Sequence, residues 1–330
     1  MFMSMRLGAI GAAFALALSA LSAAGPASGY TVYVSNEKGN SLTVIDSETL
    51  QVLETIIVGE RPRGIILTHD DKHVLICASD SNTVQVLDVA THEIVGNLPS
   101  GPDPELLNIH PSGSPVYIAN EDDDQLTVVD LDTEKMIAEV AVGVEPEGVG
   151  VSPDGKTVVV TSETTNMAHF IDTESFEITD NVLVGSRPRF AEFTADGSQL
   201  WVTSEVSGTL SVIDAKTKEI IKTIGFDVPG VQPDYVQPVG VRVSADGSKA
   251  FVALGPANRV AVIDAKTFEV IDYLLVGKRV WQLAFTPDQK LLFATNGNSN
   301  DVSVIDVDSL KVIKSIPTGT APWGVAITRN

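Results

Sequence analysis

The chain has 330 residues, enough for one large domain or two ordinary ones, and its 44% hydrophobic content is sufficient to bury a core. Its 43 acidic and 22 basic side chains give a formal charge of −21, which disfavours nucleic acid and anionic lipid as partners. A single cysteine, Cys77, excludes an intrachain disulfide, a thiolate zinc site and a Cys-ligated iron–sulfur cluster.

The first element in the chain has the pattern of a secretion signal. Residues 1–6 carry one positive charge, and residues 7–21 form an uncharged, Ala-rich apolar run. Residues 22–24 are small, as signal peptidase requires, so we expect a signal peptide over residues 1–24, cleaved after Ala24 or a few residues later. The sequence therefore predicts a periplasmic protein with no membrane insertion, in which residues 25–330 form one domain.

Two markers then repeat along the chain with the same period. A short apolar run closed by Asp recurs seven times, at steps of 42 residues with one step of 50, at Asp46, Asp88, Asp130, Asp172, Asp214, Asp264 and Asp306. Prolines keep the same period at Pro62, Pro104, Pro146, Pro188, Pro238 and Pro322, with Val280 in the vacant place. Each Asp begins an Asp-x-x-Ser/Thr sequence, where its side chain can accept hydrogen bonds from backbone amides. We therefore interpret these aspartates as turn residues rather than catalytic ones.

Each repeat holds four segments with period-2 alternation, separated by turn residues. In the unit around Asp172 the predicted strands A to D are Gly148–Ser152, Thr157–Ser162, Ala168–Asp172 and Glu177–Val184. Seven such units predict an all-β, seven-bladed β-propeller with four antiparallel strands per blade. Residues 30–58 supply strands B, C and D of a closing blade whose strand A lies at residues 324–328, so both termini share it.

The B strands carry a motif that resembles the YVTN family of β-propeller repeats. The motif reads Tyr33-Val34-Ser35-Asn36, Tyr117-Ile118-Ala119-Asn120 and Trp201-Val202-Thr203-Ser204, and the likeness covers residues 30–328. The length and the seven-unit layout are most similar to the subgroup of PQQ-dependent catabolism-associated β-propeller proteins. This resemblance implies a periplasmic protein associated with quinoprotein alcohol oxidation, a subgroup without an established molecular activity.

The links from strand D to the next strand A bring variable side chains to one mouth of the channel. In ring order the pairs are Arg61/Arg63, Asp103/Glu105, Glu145/Glu147, Arg187/Arg189, Gln237/Val239, Arg279/Trp281 and Ala321/Trp323, with Lys278 beside Arg279. One interpretation is that these charges neutralise one another in a ring. The other is that the mouth binds a small anionic ligand or a periplasmic protein partner. Cations beside Trp281 and Trp323 favour this binding role, although Trp281 as a channel plug is an open alternative.

The 50-residue step adds eight residues near 225–237 on the same face, with Phe226 and Tyr235 as apolar content. Loops that depart from a repeated frame often carry function. The B–C loops add glutamates nearby, and the acidic run at residues 121–124 lacks the ligand spacing of an EF-hand loop, so we interpret it as solvated. The added glutamates are Glu37, Glu121, Glu163 and Glu205.

Motifs of common enzymes are absent from the sequence: there is no G-x-S-x-G, H-E-x-x-H or C-x-x-C-H. We therefore expect no catalytic residue, metal or cofactor, and interpret the protein as a monomeric binding or accessory module. A lactonase-like hydrolase is the alternative, with a divalent cation held by carboxylates among Asp103, Glu105, Glu145 and Glu147. A structural repeat protein of the cell envelope is a second alternative.

Overall fold

Short strands joined by tight turns fold the chain into seven four-stranded antiparallel sheets arranged as a β-propeller. The computed structural model describes residues 29–329. The predicted signal peptide, residues 1–24, lies outside this range. Within residues 29–329 no helix has the length and apolar character needed to cross a membrane.

The closing blade combines both ends of the described chain. Its strands β1, β2 and β3 come first in sequence, at Thr31–Asn36, Ser41–Asp46 and Gln51–Ile57. Blade 1 follows with β4 to β7 at Pro62–Leu67, His73–Ala78, Thr83–Asp88 and Ile94–Leu98. Blade 2 holds β8 to β11 at Pro104–Ile109, Val116–Asn120, Gln125–Asp130 and Lys135–Ala141. Blade 3 holds β12 to β15 at Pro146–Val151, Thr157–Ser162, Met167–Asp172 and Ile178–Leu183.

The remaining blades keep the same order of strands. Blade 4 holds β16 to β19 at Pro188–Phe193, Gln199–Ser204, Thr209–Asp214 and Ile220–Gly225. Blade 5 holds β20 to β23 at Val241–Val243, Lys249–Ala253, Arg259–Asp264 and Val270–Leu275. Blade 6 holds β24 to β27 at Val280–Phe285, Leu291–Asn296, Asp301–Asp306 and Lys311–Pro317, and β28 at Pro322–Ile327 returns to the closing blade. There β28 pairs antiparallel with β1, so the predicted sharing of one blade by both termini is confirmed.

The marker aspartates form the turns between strands C and D. In all seven, Oδ1 accepts a hydrogen bond from the backbone N–H three residues on, at 2.6 to 2.9 Å. These contacts favour the ionised carboxylate; the hydrogen bonds from Thr91, for example, hold the pKa of Asp88 below its usual value. The interpretation of the repeated aspartates as turn residues agrees with this geometry.

Buried side chains from adjacent blades form the core. Between blades 2 and 3, for example, Tyr117 and Val128 pack with Val158 and Ile171. In three blades a hydroxyl at the fifth position of strand B, on Ser35, Thr203 or Thr295, also ties the inner strands of adjacent blades together. The Thr203 Oγ1 donates to the Val239 carbonyl at 2.5 Å and accepts from the Phe190 N–H at 3.2 Å. Each such group pairs backbone atoms that the inner strands leave open, which fixes the strands around the channel.

The insertion lies between β19 and β20 and contains a single turn of 3-10 helix, Pro233–Tyr235. Val228 and Val236 are buried in the core of blades 4 and 5, and the Asp227 N–H donates to the Tyr273 hydroxyl at 3.0 Å. Tyr235 is exposed. The insertion is thus anchored through its apolar residues at both ends.

Candidate functional site

The backbone at each D–A link adopts a conformation that side chains rarely take. Six link residues have φ between 49° and 58°: Arg61, Asp103, Glu145, Arg187, Arg279 and Ala321. Each of their N–H groups donates at 2.8 to 3.1 Å to an Asn or Asp side chain 21 residues earlier, namely Asn40, Asn82, Asp124, Asn166, Asn258 and Asn300. The acceptors also have positive φ, which Asn and Asp tolerate best. A repeated hydrogen bond therefore fixes the backbone of six of the links in the same conformation.

The only signal of this hydrogen bond in the sequence is an Asn or Asp that recurs at 42-residue intervals, which by itself does not indicate the contact with the link. The series is broken by Gly208, in the blade that precedes the insertion. In the link after the insertion, Gln237 is not among the positive-φ residues and its side chain instead accepts from Arg279 Nη1 at 2.6 Å. After the insertion the repeated link conformation is therefore missing, and the Gln237 side chain holds the Arg279 guanidinium of the next link instead.

The link side chains surround a cavity of about 220 Å³ at the channel mouth. Its walls are Glu37, Arg61, Arg63, Glu121, Arg187, Arg189, Glu205, Arg279 and Trp281. Six of the twelve predicted site residues therefore line it, together with glutamates from the B–C loops. The position of those glutamates near the mouth is predictable from the sequence, whereas their part in its wall is not.

One side of the cavity is acidic and centres on Glu105, which is fully buried. Arg61 Nη2 and Arg63 Nη1 both contact Glu105 Oε1, at 3.0 and 2.7 Å, and Arg61 Nη1 contacts Asp103 Oδ1 at 2.7 Å. Burial raises the pKa of Glu105 well above its usual value, and Arg63 opposes that shift. Burial and the charge of Glu147 also raise the pKa of Glu121. In the part of the chain that the structure describes, Asp103, Glu105 and Glu121 have carboxylate oxygens within 4.8 Å of one another, close enough to share a metal ion.

The other side is basic and aromatic. Arg187 Nε contacts Glu163 Oε2 at 2.7 Å, and Arg189 joins Glu163 Oε1 and Glu147 Oε1, the latter at 2.8 Å. Burial raises the pKa of Glu163 to about 7, while the charge of Arg189 acts against the shift. Glu163 is buried behind the cavity wall, in contact with the wall residues Arg187 and Arg189, and a carboxyl group with a pKa near neutral pH in such a place is a candidate acid or base.

Arg279 and Trp281 complete the basic side. Arg279 Nη2 contacts Glu205 Oε1 at 2.7 Å, and its guanidinium lies 4.2 Å from the centre of the Trp281 ring. The two tryptophans of the predicted site are neighbours, with ring centroids 6.3 Å apart. Trp281 lines the cavity and is partly exposed.

The remaining predicted residues do not line the cavity. Trp323 is fully buried beneath the guanidinium of Arg63, 4.6 Å from it, which leaves no side-chain surface for a ligand. Glu145 accepts from the Thr164 hydroxyl at 2.5 Å, and Lys278 is exposed to solvent. Asp103, Glu105 and Glu147 stand behind the cavity wall as partners of its arginines. The ion pairs between blades agree with the ring-neutralisation interpretation, and ligand binding stays a prediction.

Comparison with solved structures shows the same fold in proteins of varied function. Kuenenia stuttgartiensis hydrazine synthase superposes with a TM-score of 0.78 at 22% identity, over 84% of this chain and 93% of that one. A functionally unknown protein from Desulfotomaculum acetoxidans gives 0.78 at 18% identity, over 91% of this chain and 99% of that one. A dihydro-heme d1 dehydrogenase in complex with DHE gives 0.67 at 15% identity, over 89% and 74%. These identities support the fold alone.

Comparison with protein families gives two matches. Residues 74–186 match the family described as cytochrome D1 heme domain. Residues 22–98 and 172–313 match the family described as lactonase, 7-bladed beta-propeller, which is well over half of the chain. No curated protein matches the chain. The chain belongs to the seven-bladed β-propeller lactonase family.

Proposed function

We propose that the channel-mouth cavity binds a small organic anion. The observation that carries this proposal is the pairing and exposure of the Arg187 guanidinium. Among residues 29–329 both of its ion pairs use Nε, to Glu163 and Glu205, and 48% of its side chain is exposed. The two Nη groups thus remain for a carboxylate, whose two oxygens match the fork of a guanidinium.

Arg279 and Trp281 add a second recognition element next to Arg187. Their stacked arrangement offers a flat apolar surface with a positive charge above it, which suits an aromatic or unsaturated anion. A cavity of about 220 Å³ is smaller than a typical drug-sized pocket, so it favours a small metabolite over a large cofactor.

The physiological setting that we propose is the periplasm, beside a quinoprotein alcohol oxidation. This setting rests on the resemblance of the length, the leader and the seven-unit layout to the PQQ-dependent catabolism-associated subgroup. Oxidation of an alcohol to the acid yields a carboxylate, which is the group that Arg187 would recognise. The protein would then act as a binding or accessory module for the products of that oxidation.

Calorimetric titration with benzoate and acetate tests this proposal on the purified protein. We expect saturable binding of benzoate, at least several-fold weaker in Arg187→Ala and in Trp281→Ala. Lys156→Ala, on the opposite face of the propeller, is the control and should bind as the wild type does. Unchanged affinity in an Arg187→Ala/Arg279→Ala double variant, or no saturable binding of either acid, would overturn the proposal.

Lactone hydrolysis is a second candidate, favoured by the family to which the chain belongs and by Glu163. A carboxyl group with a pKa of about 7 can take a proton from water as the water oxygen attacks the lactone carbonyl. The ring C–O bond then breaks and the proton passes to the departing alkoxide. Arg187, in contact with Glu163, would stabilise the negative charge on the former carbonyl oxygen.

A panel of five- and six-membered lactones that carry a carboxylate tests this second candidate. We expect ring opening by the wild type, with a rate that rises as pH passes through about 7, and at least a hundredfold loss in Glu163→Gln. Hydrolysis that is equal in the wild type and in Glu163→Gln would exclude Glu163 as the base.

A further inference from the structure

We propose that protonation of His169 is a pH-sensitive switch that loosens the link between blades 2 and 3 and so weakens the proposed anion site. The effect on the anion rests on the proposed function, whereas the titration of the ring does not. His169 lies in β14 and is 6% exposed. Its Nε2 accepts a hydrogen bond from the Gly143 N–H of the link at 3.0 Å, and its Nδ1 contacts the Asn181 Oδ1 at 2.5 Å.

These two contacts fix the protonation state of the His169 ring. The Gly143 N–H can donate only to an unprotonated Nε2, and the Asn181 amide oxygen accepts from a proton on Nδ1, so the ring is neutral with its proton on Nδ1. A second proton would go to Nε2 and place two donors face to face. Burial lowers the pKa of His169, and the hydrogen bond to Asn181 acts against that shift.

In residues 29–329 the groups that contact the ring are uncharged. They are the Gly143 amide of the link and the Asn181 amide of β15, and Val160 of β13 is the partner of His169 in the sheet. Charged side chains occur on β11, on the link, on the B–C loop and on β15, but none of those described forms an ion pair with the ring: Lys135, Glu139, Glu145, Glu163 and Asp180. Protonation would therefore leave a charge inside the blade without a partner.

Other blades place acceptors that do not titrate at the same position of strand C. In blade 1 the Gln85 Oε1 accepts from the Gly59 N–H at 2.6 Å, and in the closing blade the Thr43 Oγ1 accepts from the Gly319 N–H at 3.1 Å. The seven repeats carry one histidine at this position, His169. Only in blade 3, therefore, can a proton turn the acceptor of the link into a donor.

The link that His169 holds also supports an arginine of the cavity wall. The Glu145 carbonyl, two residues after Gly143, accepts from the Glu163 N–H at 2.8 Å, and Glu163 in turn holds Arg187 Nε at 2.7 Å. Repulsion between the Gly143 N–H and a protonated His169 would displace the link and, with it, the backbone of Glu163. The guanidinium of Arg187 would then lose the position that we propose for anion binding.

Two measurements without ligand test the switch. Nitrogen-15 NMR of the histidine-labelled mature protein should show a neutral His169 with its proton on Nδ1 and a titration midpoint below the ordinary 6.5, assigned by loss of the signal in His169→Gln. His169→Gln copies Gln85 and His169→Thr copies Thr43, so each variant keeps an acceptor for the Gly143 N–H.

Melting temperature gives the second measurement. Because the pKa of His169 is lowered in the folded state, its contribution to stability is complete above pH 6.5 and is lost as pH falls below that value. Between pH 8 and pH 5 the melting temperature of the wild type should therefore fall at least about 2 °C further than that of either variant. Glu163 titrates in the same range in all three proteins, so the comparison removes its effect.

Benzoate titration at pH 7.5 and pH 5 measures the coupling to the mouth. The loss of affinity at pH 5 should be at least twofold larger in the wild type than in His169→Gln. A midpoint of 6.5 or above, a neutral ring with its proton on Nε2, or equal pH dependence of melting in all three proteins would overturn the switch. Equal loss of benzoate affinity would overturn its coupling to the mouth. Absence of benzoate binding at both pH values would refute the anion site, and the NMR and melting results would still decide the switch.

Discussion

The two tryptophans at equivalent repeat positions should respond differently to truncation. Trp323 is fully buried, with the Arg63 guanidinium 4.6 Å from its ring, whereas Trp281 is partly exposed beneath Arg279. Replacing Trp323 with Ala removes a large buried side chain and leaves a cavity beside Leu106 and other core residues. Replacing Trp281 removes a side chain that water already reaches.

The expected costs follow from that difference. A buried Trp→Ala substitution lowers the free energy of unfolding by about 3–5 kcal/mol, while a partly exposed Trp should cost about 2 kcal/mol or less. Trp323 Nε1 has no hydrogen-bond partner, so Trp323→Phe keeps most of the packing and loses no hydrogen bond. We expect that conservative variant to cost under about 2 kcal/mol.

Urea denaturation followed by tyrosine fluorescence and circular dichroism measures these costs, and benzoate titration gives the effect on binding. Trp323→Ala should lower the free energy of unfolding markedly and bind benzoate normally while folded. Trp281→Ala should lower the free energy of unfolding less and weaken benzoate binding. If both alanine variants lose the same free energy of unfolding, the assignment of Trp323 to the core and Trp281 to the cavity is wrong.

Three further predictions concern the frame and its charges. Thr203→Val leaves the Phe190 N–H and the Val239 carbonyl without their partner, and should lower stability by about 1–3 kcal/mol in urea denaturation. The pKa of Glu163 is higher in the folded state, about 7, than its usual 4.5, so its stabilising contribution is complete below pH 4.5 and lost as pH rises through 7. The melting temperature should therefore fall less between pH 5 and pH 8 in Glu163→Gln than in the wild type. Ending the chain after Pro317 removes β28 and exposes the edge of β1, so cooperative melting of a soluble monomer should disappear.

Most of the fold could be predicted because the same pattern of strand and turn residues recurs seven times in the sequence. The predicted strand Thr157–Ser162 is observed with the same bounds, and the predicted strand C differs from Met167–Asp172 by one residue. Strand A begins at Pro146, two residues before the expected start, because the link residue at positive φ turns the chain into the sheet earlier. Errors of one or two residues do not change the predicted blade, because the strand register is supported by all seven repeats.

The candidate site was less predictable, because its contacts join blades. The spacing of the links placed Arg61, Asp103 and Glu105 at one mouth, yet it could not show that Arg61 reaches both acids of the next blade. The repeat position is also the same for Trp281 and Trp323, and their different burial depends on which side chains lie on each side in the ring. Such neighbours across the channel are set by packing in three dimensions, which a single repeat does not encode.

The buried glutamates explain how so many arginines can face one small cavity. Glu163 and Glu205, both nearly buried, hold Arg187 and Arg279 by contacts at 2.7 Å. A guanidinium held in this way loses little conformational freedom when a ligand binds, so more of the interaction energy appears as affinity. The same pairing lowers the net charge that the ligand meets and favours recognition by geometry over attraction at long range. On the proposed function, a mouth of this kind would recognise a carboxylate by its shape even in a protein whose formal charge is −21.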